Sequence, residues 1–208
     1  QTDNFQGLLY GAPDMGGIFA TGKYEPINWK LGWAKLYENS QTSWDDVTLY
    51  MGLLNWAPSK DLKLGFALYF VQNDTAKTLS ATQLPYGAAF PTYLNPAGAS
   101  TFKVYTPGID CAWNLGPVAL SGFGLYNFGQ FTQVSTGATR DISGAAVDLR
   151  ADANLGPGKL FVEALFISGG DNNPGSDFKS VLTLSDMNAS PGGNSAFTRS
   201  RSLHFIVQ

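Results

Sequence analysis

The tetrapeptide Asn-Leu-Gly-Pro stands at 114–117 and again at 154–157, each copy between two long segments of alternating side-chain character. Before the first copy, Tyr105, Ile109, Cys111 and Trp113 share one parity, and Thr106, Gly108, Asp110 and Ala112 share the other. Before the second, Ala145, Val147, Leu149, Ala151 and Ala153 alternate with Ala146, Asp148, Arg150 and Asp152. Successive side chains of a strand point to opposite faces, so each segment has one apolar face and one small or polar face. Asn, Gly and Pro in close succession are turn residues. The segments run to about ten to thirteen residues, where an ordinary strand has about five or six.

The same pattern predicts strands along most of the chain: 16–24, 27–38, 46–56, 62–72, 102–114, 118–131, 142–154 and 159–169, with a ninth beginning in 199–208. The clearest is 62–72, where Leu62, Leu64, Phe66, Leu68 and Phe70 alternate with Lys63, Gly65, Ala67 and Tyr69. Two segments depart from the scheme. Asp46, Thr48 and Tyr50 share parity with Leu54 and Trp56, and in 118–131 both parities carry large apolar residues. A plug loop or a neighbouring subunit facing these strands would account for either.

Connections are expected to be short at 25–26, 57–61, 115–117 and 155–158, and longer at 39–45, 73–101, 132–141 and 170–198. Such alternation, with strands of nine or more residues, suits a transmembrane antiparallel up-and-down β-barrel, short-turned on the periplasmic side and long-looped outside. The expected fold is therefore all-β, one barrel domain over 1–208, with at least nine strands visible. Single-chain barrels have an even strand number, so a further strand is expected, and 3–10 is where it could lie. The sequence then reads as part of a larger barrel, incomplete at both ends.

Composition agrees. Charged residues are 14% of the chain and aromatics 13%, with 24 glycines among 208 residues. An average soluble domain carries about 25% charged residues. The mean hydropathy of −0.07 is not that of a helical membrane protein, and no apolar run approaches the roughly 18 residues of a membrane helix. A net charge of −3 without a basic stripe gives no reason to expect nucleic acid. The lone Cys111 reads as a small hydrophobe on an apolar strand face.

One parity gathers Lys30, Lys63, Asp110, Asp148, Arg150, Asp152 and Glu163. Charges spaced by two along a strand are costly in a dry core. In a water-filled lumen they are tolerated and would set solute preference. The alternative is the solvated outer face of a soluble sheet. Trp29 and Trp113 fall near short turns, and Tyr37, Phe70, Tyr105 and Phe128 near long loops. Two such bands would be the interfacial girdles of a barrel; ordinary core aromatics of a β-sandwich are the other possibility. Nothing assembles a nucleophile with a base: His204 is the single histidine, so no catalytic residue and no cofactor is expected. Asp171 and Asp177 supply oxygen ligands in a polar loop, a weak calcium candidate beside the solvated turn it more often represents.

The long strand pairs around Asn-Leu-Gly-Pro, and the strand end Leu165-Phe166-Ile167-Ser168-Gly169-Gly170-Asp171 running into a Gly/Asn/Asp loop, resemble Gram-negative outer-membrane porins, the alginate-export-like families especially. The resemblance implies a bacterial outer-membrane location, contact with lipid and lipopolysaccharide, and passive diffusion of small or anionic solutes. It implies extracellular loops that fold in to constrict the pore, with 73–101 the foremost candidate. Two other functions stay open: a non-conducting or plugged barrel that sheathes a partner protein in its lumen, and a soluble secreted β-sandwich that binds ligands. A homo-oligomer is compatible with the first two.

Overall fold

The computed structural model describes residues 16–37, 47–74, 100–168, 177–179 and 181. Eight strands run through them: β1 (Gly16–Tyr24), β2 (Ile27–Tyr37), β3 (Val47–Trp56), β4 (Leu62–Asn73), β5 (Ser100–Asn114), β6 (Val118–Gln133), β7 (Thr139–Leu155) and β8 (Gly158–Ile167). They form one sheet in chain order, every neighbouring pair antiparallel. This is an all-β up-and-down meander rather than two facing sheets. No helix lies among the described residues. The expected ninth strand at 199–208 and the possible one at 3–10 fall outside them, as do the side chain of Tyr37 and most of the loops 73–101 and 170–198.

The strands are long, from 9 residues in β1 to 17 in β7. β6 and β7 are longer than their alternation predicted. The segment 132–141 shrinks to a connection at 134–138, no longer than that at 57–61, because Thr132 pairs with Thr139 and the ladder carries on into polar residues. The strict contrast of short and long connections is weaker there than expected.

The two copies of Asn-Leu-Gly-Pro make different turns. At the first, the Leu115 N–H donates to Val118 O (2.8 Å), Asn114 Oδ1 accepts from the Gly116 N–H (3.1 Å), and Gly116 takes φ +88°. At the second, Leu155 pairs with Gly158 around a two-residue loop whose first residue, Gly156, has φ +61°. A two-residue hairpin needs positive φ there, which glycine adopts without strain. The short turns are also tied sideways: the Ala57 N–H donates to Pro26 O (3.0 Å), Asn114 N–H to Asp61 O (2.7 Å) and Asn154 N–H to Pro117 O (3.0 Å).

This end of the sheet is staggered. One register row passes through Ile27, Trp56, Leu64, Cys111, Gly122, Leu149 and Ala164. Ile27 is the first residue of β2, whereas Ala164 lies six positions beyond Gly158, the first of β8, after six steps between strands. One residue of stagger per strand, at about 3.3 Å rise and 4.8 Å spacing, inclines the strands by roughly 35° to the line of the turns.

The faces differ in an unusual sense. The exposed one carries Leu31, Leu54, Phe66, Leu68, Ile109, Leu149, Val162 and Phe166, all large and apolar. The buried one divides by height. Toward the 134–138 end it is apolar: Ala34, Leu49, Val71, Val104, Gly129 and Ile142 share a register row, and Val47, Leu49 and Ala34 are 0% exposed. Phe178 and Val181, from beyond β8, join this cluster. Phe178 is fixed by its N–H to Asp141 O (2.8 Å) and its O to the Ser143 N–H (2.7 Å), where β7 has outrun β8. The dry half explains why β3 and β6 are apolar in both parities: Leu49, Met51, Leu125 and Phe131 enter the cluster while Tyr50, Leu54, Leu120 and Tyr126 are exposed.

Pro107 stands in the middle of β5, a place proline avoids because it has no N–H for the ladder. The pairing of β5 with β6 skips from Tyr105–Phe128 to Gly108–Leu125 there. In the gap the buried side chains of Thr106 and Asn127 meet, Asn127 Nδ2 donating to Thr106 Oγ1 at 2.5 Å.

Candidate functional site

The seven charged residues of the shared parity, Lys30, Lys63, Asp110, Asp148, Arg150, Asp152 and Glu163, fall on the buried face, in the half nearer the short turns. The register decides this. Asn28, Asn55, Gly65, Asp110, Phe123, Asp148 and Leu165 form one row, and Lys63, Ala112, Ser121, Arg150 and Glu163 the next. Lys30 lies one row further toward the apolar half, opposite Leu53.

The structure brings Arg150, Asp152 and Glu163 into direct contact. Arg150 donates from Nε and Nη2 to the two oxygens of Asp152, each at 2.8 Å. Its Nη1 lies 3.7 Å from Glu163 Oε2 across the β7–β8 pair. The guanidinium also sits over the Phe161 ring, 4.5 Å from its centroid. Two parallel bonds and an aromatic floor fix the planar group more firmly than a single contact would. Asp148 adjoins this group on β7 but is 3% exposed, and its Oδ1 has no hydrogen-bond partner.

The other three stand apart. Asp110, on β5, lays its carboxylate across Gly65 of β4, and a Cβ at position 65 would strike it. Lys63, exposed, faces Ala112. Lys30 holds its ammonium 4.7 Å from the Phe19 ring centroid. Outside the strands, Lys23 Nζ lies 2.7 Å from Glu25 Oε1 and, by hydrogen bond and charge, holds that carboxyl below its ordinary pKa.

Of the aromatics chosen from the sequence, Trp29, Phe70, Tyr105, Trp113 and Phe128 lie on the opposite, exposed face. Phe70, Tyr105 and Phe128 share a register row and stack, at 4.5 Å and 5.3 Å between ring centroids. Tyr50 extends the stack at 5.7 Å from Phe70, and Tyr126 approaches Phe128 at 6.1 Å. At the other end Trp29 lies flat over Gly22, which has no side chain to displace it. Trp29, Trp56 and Trp113 all stand within two positions of the turn-side end of their strands. From Trp113 to Tyr105 is eight residues of β5. At about 3.3 Å each and a tilt near 35°, that is roughly 20 Å of height between the aromatic groups.

Sequence reasoning missed Tyr50, Tyr126 and Trp56 as members of these groups, although their parity with Leu54 and Leu120 was legible. It also missed Phe161 beneath Arg150, which only cross-strand register reveals. Of the calcium pair, Asp177 Oδ1 accepts the Asp141 N–H (3.1 Å), and Asp171 lies outside the described residues. Among the described residues no group of three or more His, Cys, Asp or Glu side chains is placed to hold a metal ion.

No known protein family and no curated protein matches the chain.

Proposed function

We propose that this chain is an outer-membrane β-barrel porin, a channel for passive diffusion of small or charged solutes. The carrying observation is the inverted polarity of the sheet. Large apolar side chains cover the exposed face, and charged residues lie on the buried one. In water this arrangement forgoes apolar burial and strands charges inside; in a bilayer both faces meet the solvent they need. The stagger of one residue per strand fits a barrel, whose strands tilt by about 35–45°. The roughly 20 Å between aromatic groups approaches the apolar band of about 25 Å that outer-membrane barrels present to lipid. Lipid also requires that sheet edges be paired, so β1 and β8 would each meet a further strand.

Charges at Lys30, Lys63, Asp110, Asp148, Arg150, Asp152 and Glu163 would line the aqueous path, and Trp29, Phe70, Tyr105, Trp113 and Phe128 would lie at the membrane interfaces. The test is single-channel recording of the full-length protein in a planar bilayer. Stepwise openings whose selectivity changes in the Asp148→Asn/Asp152→Asn double variant are expected. Openings indifferent to that change would remove the lumen assignment.

A second function is favoured by the apolar half of the enclosed face. Val47, Leu49, Phe102, Val104 and Ile142, with Phe178 and Val181 among them, make this stretch mostly apolar, with Asn73 buried between Val47 and Phe102. A barrel stoppered there would hold or sheathe a partner rather than conduct. It predicts insertion without conductance.

A further inference from the structure

We infer that the exposed face of β1–β5 binds one molecule of a phosphorylated lipid, its acyl chain lying in a hollow at Gly52 and its phosphate at Lys103. The inference rests on the barrel reading and names a partner for the surface turned to lipid. Two independent features carry it.

The first is a gap in the apolar face. Ala20, Leu31, Gly52 and Leu68 share one register row, and Trp33 and Tyr50 stand two residues further from the short turns. These side chains border a cavity of about 600 Å³ that is open on the exposed side. Small-molecule sites occupy roughly 300–1,000 Å³. Gly52 leaves the space between its two leucines unfilled: among the described residues, a Cβ there would meet only Leu31 Cδ2, at 3.6 Å. An empty hollow forfeits dispersion contacts along its lining. From Leu31 to Leu68 it spans two strand spacings, about 10 Å. A stable contact with a second copy of the chain covers roughly 800 Å² on each partner, far more than a hollow of that width between projecting side chains offers. A slender, flexible acyl chain fits it.

The second is what stands over the hollow. With one residue of stagger per strand, a line upright on the row of turns crosses one strand toward β8 for about every two residues it climbs. From Gly52 it passes Phe70 and reaches Lys103, roughly 16 Å away. From Ala20, Leu31 and Leu68 it reaches Thr48, Gln72 and Gln130. One cation and three hydroxyl or amide groups therefore lie above the hollow, without a carboxylate among them. The acidic groups at the margin are each held by an amide: Gln72 Nε2 donates to Asp74 Oδ2, and Gln130 Nε2 to Asp141 Oδ1 (3.2 Å). Lys103 is exposed, two residues beyond the stacked ring of Tyr105, and forms no ion pair with a described residue. An apolar hollow ending beneath a cation complements a molecule whose acyl chain carries an anionic head, and lysines at the membrane surface attract such heads.

The experiment uses the full-length protein in a neutral detergent and native mass spectrometry, with dilauroyl phosphatidic acid, dilauroylglycerol or inorganic phosphate added. One equivalent of phosphatidic acid is expected to stay bound at concentrations where dilauroylglycerol is lost. Lys103→Gln should weaken retention about fivefold, the weight of one lysine at an anionic lipid surface. Gly52→Leu, whose Cβ finds room, should abolish it. Gly124→Leu, in open space elsewhere on the same face, should bind as the native protein does. Heat-resistant migration in detergent gels confirms that each variant has folded. Equal retention of the two lipids, or native retention in Gly52→Leu, overturns the inference and leaves the barrel standing. Inorganic phosphate held alone and kept in Gly52→Leu overturns it too, as does a dimer that Gly52→Leu dissociates. A protein soluble without detergent removes the barrel and the lipid site with it.

Discussion

Replacing Ile109 by Lys separates a lipid-facing sheet from a water-facing one. Ile109 is 59% exposed, lies midway along β5 between Tyr105 and Trp113, and shares its row with Leu54, Phe66 and Phe166 on the apolar face. Four residues separate it from each aromatic group, so at a tilt near 35° it sits about 10 Å from either. If that face met water, a lysine here would find room and hydration, and the change would fall within about 0.5 kcal/mol of zero. If it meets lipid, the ammonium lies near the bilayer midplane, where a lysine costs about 2–4 kcal/mol. The equilibrium between folded and unfolded protein then shifts by roughly 30- to 800-fold. Reversible urea unfolding into and out of lipid vesicles, followed by tryptophan emission, measures this directly. Leu115→Lys, on the exposed turn beyond Trp113, is the internal control and should stay near zero. An Ile109→Lys protein as stable as the native one, soluble without detergent, would refute the argument from inverted polarity.

Leu49→Ala removes a fully buried side chain from the apolar half of the buried face and should cost about 2–5 kcal/mol in the same assay. Thr106→Val strands the Asn127 amide in a buried site and should cost about 1–3 kcal/mol, with much of the loss recovered in Thr106→Val/Asn127→Leu; a double-mutant cycle reads the coupling. Gly129→Ala would drive a Cβ into the carbonyl of Lys103 and to 3.0 Å from the Val104 Cα, backbone atoms that cannot turn aside, so it should lower the yield of folded protein far more than Gly124→Ala, which has open space around it.

Much of the architecture was legible in the chain because period-two alternation is a local signal. Leu62 to Phe70 announces a strand without help from its neighbours, and the turns fall on turn residues, proline, serine and aspartate at 57–61 and glycine and proline after Asn114 at 115–117. The continuation of β6 past Phe131 and the start of β7 ahead of Ile142 were hidden, since threonine, glutamine and arginine also furnish loops and only the opposing strand shows them paired. Parity placed all seven wall charges on one face, but not the grouping within them. That Arg150 closes on Asp152 rather than on Glu163 depends on rotamers and on Phe161, which lies on another strand. The dry half of the buried face was hinted at by β3 and β6, yet two of its members, Phe178 and Val181, belong to a segment without alternation.

The sideways bonds between short turns bear on how such a sheet grows. Each completed turn presents one carbonyl, that of Pro26, Asp61 or Pro117, to the end of a strand in the next hairpin. A strand arriving one residue out of step would miss that acceptor and also turn its apolar face inward. Register is therefore checked at the rim for every hairpin in turn, using only the hairpin before it. A sheet proofread in this way has no preferred size. Hairpins can be added or lost at either flank, and the width of the sheet can change, while every strand away from that flank keeps its partners.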